Sequence, residues 1–275
     1  MFGRVAIVWA ALVLSWIAAA TFRAEVLAPR FGFDAWRAIE SVLGGALGVA
    51  LVVGACRVLD RRTLGSLGFR LTRADLVAFG VGAGLWTGLA AVGLVVGAAA
   101  GLFTVTLGPP SWMMVGWILL QIGLVFSYEA LPEELALRGY IYTNLAERVP
   151  RWLAVLGQAV LFMLWAFTLV ALLDVVGVGT GWSITLDRAI LFLTFGISLA
   201  LLRLWTGSLW ASIGFHLAFQ VGMGLLSLDR LTVVSVPSSD IGSVGIVLWL
   251  FGIVLGGAVA LVGLIRKERR AKASA

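Results

Sequence analysis

The sequence predicts an all-α, polytopic membrane helix bundle of about eight transmembrane helices. Three observations predict it. Hydrophobic residues make up 61% of the 275-residue chain and charged residues 12%, against roughly 45–50% and 25% in soluble globular domains. Mean hydropathy is +1.06, more apolar surface than a soluble core of this size could hide. The apolar residues also fall in blocks of roughly 20, the length a helix needs to cross about 30 Å of hydrocarbon. No block shows the alternation of a transmembrane barrel strand. One cysteine and six prolines, with no low-complexity tract, exclude a disulfide scaffold, a collagen-like fibre and a disordered chain.

Eight stretches qualify as spans: 5–21, 42–59, 76–102, 112–130, 152–173, 189–202, 209–226 and 244–265. The sixth, bounded by Arg188 and Arg203, is the shortest. The first also carries signal-peptide features, Arg4 followed by an apolar run and the small residues Ala18, Ala19 and Ala20. Its run exceeds the roughly 7–15 residues usual for a signal, so it is expected to stay as a span. Fifteen of the twenty basic residues fall on one side of this topology, which places both termini in the cytoplasm. The net charge of +6 then reads as a topology signal and contact with anionic lipid heads, with no nucleic-acid partner. The arginine-heavy basic set is compatible with a prokaryotic plasma membrane. Cys56 is read as a small packing residue.

Glycines recur at intervals of four. Gly80, Gly84 and Gly88, then Gly93, Gly97 and Gly101, lie in the third span, with Gly44 and Gly48 in the second and Gly252 and Gly256 in the eighth. Small residues at this spacing let helix backbones approach closely in lipid. Tight packing within the monomer is the expectation. A homo-oligomer is compatible with the pattern and not indicated by it.

Ionisable groups at membrane depth are costly and mark function. Most acids, including Glu25, Asp34, Glu40, Asp60, Asp75, Asp229, Asp240 and Glu268, read as solvated loop residues. The exception continues the fourth span: Ser127-Tyr128-Glu129-Ala130-Leu131-Pro132-Glu133-Glu134, followed by Arg138, Gly139 and Tyr140. Pro132 predicts a break, with a new helix starting near Glu133 and both acids over its free N–H groups. Glu134 and Arg138 are four apart, in the favourable acid-first order for a pair on one helix face. Glu133 points about 100° away, free to project into the bundle and act on a water. His216, the one histidine, shares a face of the seventh span with Gln220. It lies about 10 Å in from Leu209, where it can meet the Glu133 segment.

Glu133-Glu134-x-x-x-Arg138-Gly139-Tyr140, with His216 in the context Ser-Leu-Trp-Ala-Ser-Ile-Gly-x-His, resembles the CPBP family. These are intramembrane proteases of the type II CAAX prenyl endopeptidase and bacteriocin-processing kind. The resemblance covers roughly 112–220. It divides the chain into the first three spans (1–111), a catalytic-type core (112–226) and the last span with its basic tail (227–275), all one integral membrane domain. It implies that Glu133 activates the attacking water, with Glu134 and Arg138 in support. The family's Phe-x-x-x-His element falls on Phe162, but Ala166 stands where the histidine belongs. Its His-x-x-x-Asn element falls on His216 and Gln220, an amide one methylene longer. The family's histidines and glutamate hold the water directly or through a divalent metal such as zinc. Here a metal would have only His216 and Glu133 or its neighbour, short of the usual set. No other cofactor is implied.

Three functions remain open on the sequence. The first is an endopeptidase acting on a membrane-associated peptide or protein substrate: Glu133 as base, His216 as proton shuttle or oxyanion donor, Gln220 orienting the peptide carbonyl. The second is a pseudoprotease that binds or scaffolds a membrane partner, as in peptide immunity, favoured by Ala166 and Gln220. The third is a small transporter using the buried acids, weakened because the cluster has no repeat in the other half of the chain.

Overall fold

Each long apolar block is helical in the computed structural model, which describes residues 2–107, 111–179, 181–226, 234–235 and 237–274. Among the described residues, eight helices are long and apolar enough to span a bilayer. They are α1 (Phe2–Leu27), α2 (Phe33–Val58), α3 (Arg73–Ala99), α4 (Trp112–Ala146), α5 (Arg151–Val175), α6 (Leu186–Thr206), α7 (Leu209–Leu226) and α8 (Ile241–Ala273). Large apolar side chains such as Leu14, Leu43, Val95 and Leu119 face outward, the arrangement a lipid surroundings demands. The chain is a multi-pass integral membrane protein. Asp229 and Arg230, placed in a loop by the sequence reading, lie outside the described residues.

Several helices are longer than their apolar cores, so Glu25, Asp34, Glu40, Asp75 and Glu268, read as loop residues, all lie in helices; Glu40 and Asp75 are also buried, and Asp60, in the turn after α2, has a side chain only 1% exposed. α2 starts at Phe33, so Glu40 is inside it and 7% exposed. There Tyr128 donates to its Oε1 at 3.3 Å and Arg23 lies 3.7 Å away. Asp75, 2% exposed, closes a capping box with Thr72 at the start of α3. Its other oxygen accepts from Ser208 at 2.6 Å. Ser208 in turn accepts the Trp210 N–H at 3.2 Å, so one carboxylate ties the α6–α7 turn to α3. That turn needs only Gly207 and Ser208, because Gly207 takes the left-handed φ of +78°.

The proline break is also corrected. α4 runs unbroken through Pro132, with π turns at Phe126–Ala130 and Glu134–Ile141 on either side of a short α stretch. A proline inside an α-helix removes an N–H and clashes with the carbonyl one turn back. The wider π turn just before it, where the Leu131 N–H reaches back to the Phe126 carbonyl, relieves that crowding. No helix starts at Glu133, so the dipole argument for its acids lapses.

Glycine packing is half as predicted. On α3 and α7 the contact is reciprocal: a Cβ on Gly82 would lie 1.9 Å from the Ala211 carbonyl oxygen, and one on Gly214 2.3 Å from that of Phe79. Gly44, Gly48, Gly93, Gly97, Gly252 and Gly256 also meet neighbours. Gly80, Gly84, Gly88 and Gly101 face open space, with nothing within 4 Å. Their spacing is right but their face is the outer one.

One end of the bundle is knitted by charge. Arg4 meets Asp60 at 2.5 Å, Arg62 pairs with Glu147, Arg151 reaches Glu268 at 3.4 Å, and the Lys267 ammonium donates to the Trp205 carbonyl at 2.8 Å. At the opposite end Thr106 and Leu107 pair antiparallel with Ser235 and Val234.

Candidate functional site

The site is built on α4 where it is least regular. Glu129 sits in the first π turn, Glu133 ends the α stretch, and Glu134 and Arg138 lie in the second π turn. α2 presses against this stretch: Cβ atoms on Gly45 and Gly48 would meet the Ser127 carbonyl oxygen and the Pro132 ring at 1.8 and 2.9 Å. Glycine at both positions is what admits the bulged helix into the core.

Glu134 and Arg138 are fully buried. Arg138 Nη1 donates to Glu134 Oε1 at 3.1 Å, and the same oxygen lies 3.0 Å from His216 Nδ1. The guanidinium rests over the Phe162 ring at 4.3 Å, a cation–π contact in a dry setting. Trp165 lies nearly parallel to Phe162, with ring centroids 6.0 Å apart. Phe195 meets the His216 ring edge-on at 5.1 Å. A second pair lies one turn along both helices, where the Gln220 amide donates to Glu129 Oε2.

The structure therefore brings Glu134, Arg138, His216 and Phe162 into one cluster and adds Glu129 through Gln220. The partner of His216 is Glu134, not Glu133. Glu133 is 4% exposed and within electrostatic reach of Glu129, Arg138 and Glu134. Among the described residues it has no hydrogen-bond partner. Ala166 is buried one turn beyond Phe162 on α5 and presents only a methyl group.

Two contributors escaped the sequence reading. Glu129 was visible as the third acid but had no assigned partner, because its contact with Gln220 crosses between helices. Arg203 read as a topology charge. It reaches into the bundle, donating to the Arg138 carbonyl, to the Leu67 carbonyl at 2.9 Å and to Thr143 Oγ1 at 2.9 Å. The π turn leaves that Arg138 carbonyl without its usual helical donor, since the Tyr142 N–H goes to Gly139 and Leu137.

The zinc ion that the resemblance allows does not fit this donor set. Among the described residues no group of three or more His, Cys, Asp or Glu side chains converges on a point that could hold a metal. Arg138 and His216 already share the one Glu134 oxygen, and Ala166 offers no ligand.

A polytopic helix bundle with a carboxylate–arginine–histidine cluster sealed at a π-distorted helix defines the class: a membrane protein with polar chemistry inside its core. Residues 115–222 match the family described as type II CAAX prenyl endopeptidase Rce1-like, in agreement with the CPBP resemblance. The match runs from α4 into α7 and includes every residue of the cluster. No curated protein matches the chain.

Proposed function

We propose that the chain is an intramembrane endopeptidase in which Glu133 activates water. The observation that carries this reading is the division between adjacent acids. Glu134 is committed to Arg138 and His216, while the buried Glu133 carboxylate has no hydrogen-bond partner among the described residues. In the proposed step the Glu133 carboxylate takes a proton from water as its oxygen attacks a peptide carbonyl carbon. The tetrahedral oxyanion is met by the Gln220 amide hydrogen not used by Glu129, while His216, its Nδ1–H turned to Glu134, offers Nε2 as a proton shuttle. The C–N bond then breaks, and the leaving amine takes the proton from Glu133. The Glu134–His216 contact orients the imidazole, as a carboxylate does in other histidine sites. The substrate is a membrane-associated peptide or protein, and the arginine-rich end of the bundle, with both termini, faces the cytoplasm.

Ala166 supports a second reading, a pseudoprotease that holds a membrane partner. Loss of one positioned acid–base group costs about 10²–10⁴-fold in rate, which would leave a slow enzyme or none. N-terminal profiling of membranes carrying wild type, E133Q or A166H distinguishes them. A slow protease yields new N termini that vanish in E133Q and multiply in A166H. Identical profiles for wild type and E133Q mean a pseudoprotease.

A further inference from the structure

The charge-knitted end of the bundle holds a second feature, lined by none of the side chains of the carboxylate cluster. Where α2 ends, a recess of about 530 Å³ opens, lined by Arg57, Arg61, Arg62 and Thr63 with Val53 and Cys56 behind them. Arg61 takes a left-handed φ of +53°, rare for a side-chain-bearing residue, and marks the sharp corner. Beside the same helix end, an apolar recess of about 300 Å³ runs between α1 and α2, lined by Ile7, Ala11, Leu51, Ala55 and Val58 among others.

Charge at this corner is unbalanced. Asp60 is taken by Arg4 and by the Asn144 amide at 3.1 Å, and Glu147 is taken by Arg62. Among the described residues Arg57 and Arg61 meet no carboxylate. Both are exposed, at the end of a membrane span and next to an apolar groove. A ligand that suits both recesses carries an anion at headgroup level and a hydrocarbon chain below it. Guanidinium groups fit phosphate oxygens in a fork, and basic pockets at span ends are where anionic headgroups settle.

We propose that this corner binds an anionic phospholipid, its phosphate on Arg57 and Arg61 and an acyl chain along the α1–α2 groove. Free phosphate would satisfy the arginines but leave the groove unused. The site also bears on the helix that carries the acids: Arg62 holds Glu147 just beyond α4, and Asp60 holds Asn144 within it. The proposal goes beyond the protease reading and stands without it.

The test is thermal unfolding of the purified full-length protein in uncharged detergent. Phosphatidylglycerol at about a hundredfold excess over its dissociation constant should raise Tm by about 5 °C. Phosphatidylcholine and inorganic phosphate should each leave it nearly unchanged. R57Q/R61Q should lose the shift, R57K/R61K should keep most of it, and R30Q, at the other end of the bundle, should keep all of it. A shift that survives R57Q/R61Q, or an equal shift from phosphatidylcholine or inorganic phosphate, overturns the proposal.

Discussion

Arg138 and Glu133 sit five residues apart in one buried helix, yet their removal should have different consequences. Taking away Arg138 strands the Glu134 carboxylate at zero exposure and removes the cation from the face of Phe162. Breaking a buried pair from one side costs about 3–5 kcal/mol. Glu133 has no such partner, so E133A should lower the melting temperature of detergent-extracted protein much less than R138A does. Equal losses would remove the division of labour between the two acids. Asp60 gives a pH test at the same scale. Burial pushes its carboxyl up, but the Tyr140 hydroxyl, the Asn144 amide and Arg4 together hold it below its ordinary value. A carboxyl lowered in the folded state adds stability that is complete above the unfolded value, near pH 4, and is lost as pH falls through the folded one. Stability should therefore decline on acidification below about pH 4, and D60N should show less of that decline in melts across pH. The Glu134–Arg138 spacing was legible in the sequence because both residues ride one helix. The Glu134–His216 and Glu129–Gln220 contacts were not, because they depend on how α4 and α7 cross.

Elements were legible to the extent that lipid dictates them. All eight apolar blocks are helices, since a span must satisfy its own backbone hydrogen bonds. What hydropathy could not mark is where polar residues extend a helix beyond its apolar core. That is why Glu40 and Asp75 read as loop residues, and why Pro132 read as an end. The π turns around Pro132 leave no separate signature in composition, although proline beside three acids in a span marked the spot. Glycine spacing marked close approaches without saying which face makes them. A matched pair of substitutions separates the faces. G82A puts a methyl into the Ala211 carbonyl and should cost about 1–3 kcal/mol or more, whereas G84A, on open space, should stay within about 0.5 kcal/mol. The measurement is the melting temperature of both variants against wild type. A G84A loss as large as that of G82A would mean that the outer stripe is also a packed surface.

For the whole molecule, the family match covers the helices that build the polar cluster and leaves α1, α2, α3 and α8 to the rest of the bundle. Those outer helices are not passive. α2 supplies the glycines that admit the bulged α4, and α1 packs Trp16 against Tyr128 and Trp165. α8 takes the Ser198 hydroxyl on its Ile253 carbonyl at 3.0 Å. The matched segment is thus held from both flanks by the glycines and aromatics of helices that lie outside the match. Ala166 and Gln220 are the two positions where the chain departs from the motif it resembles.

The most direct measurement uses the purified protein in liposomes with solubilised membrane proteins as substrates, reading new N termini over time for wild type, E133Q and E134Q, each with its melting temperature. The account predicts cleavage by wild type and its loss in E133Q by about a hundredfold or more, with the melting temperature of E133Q near that of wild type and that of E134Q lowered. Cleavage by E133Q at the wild-type rate would contradict it.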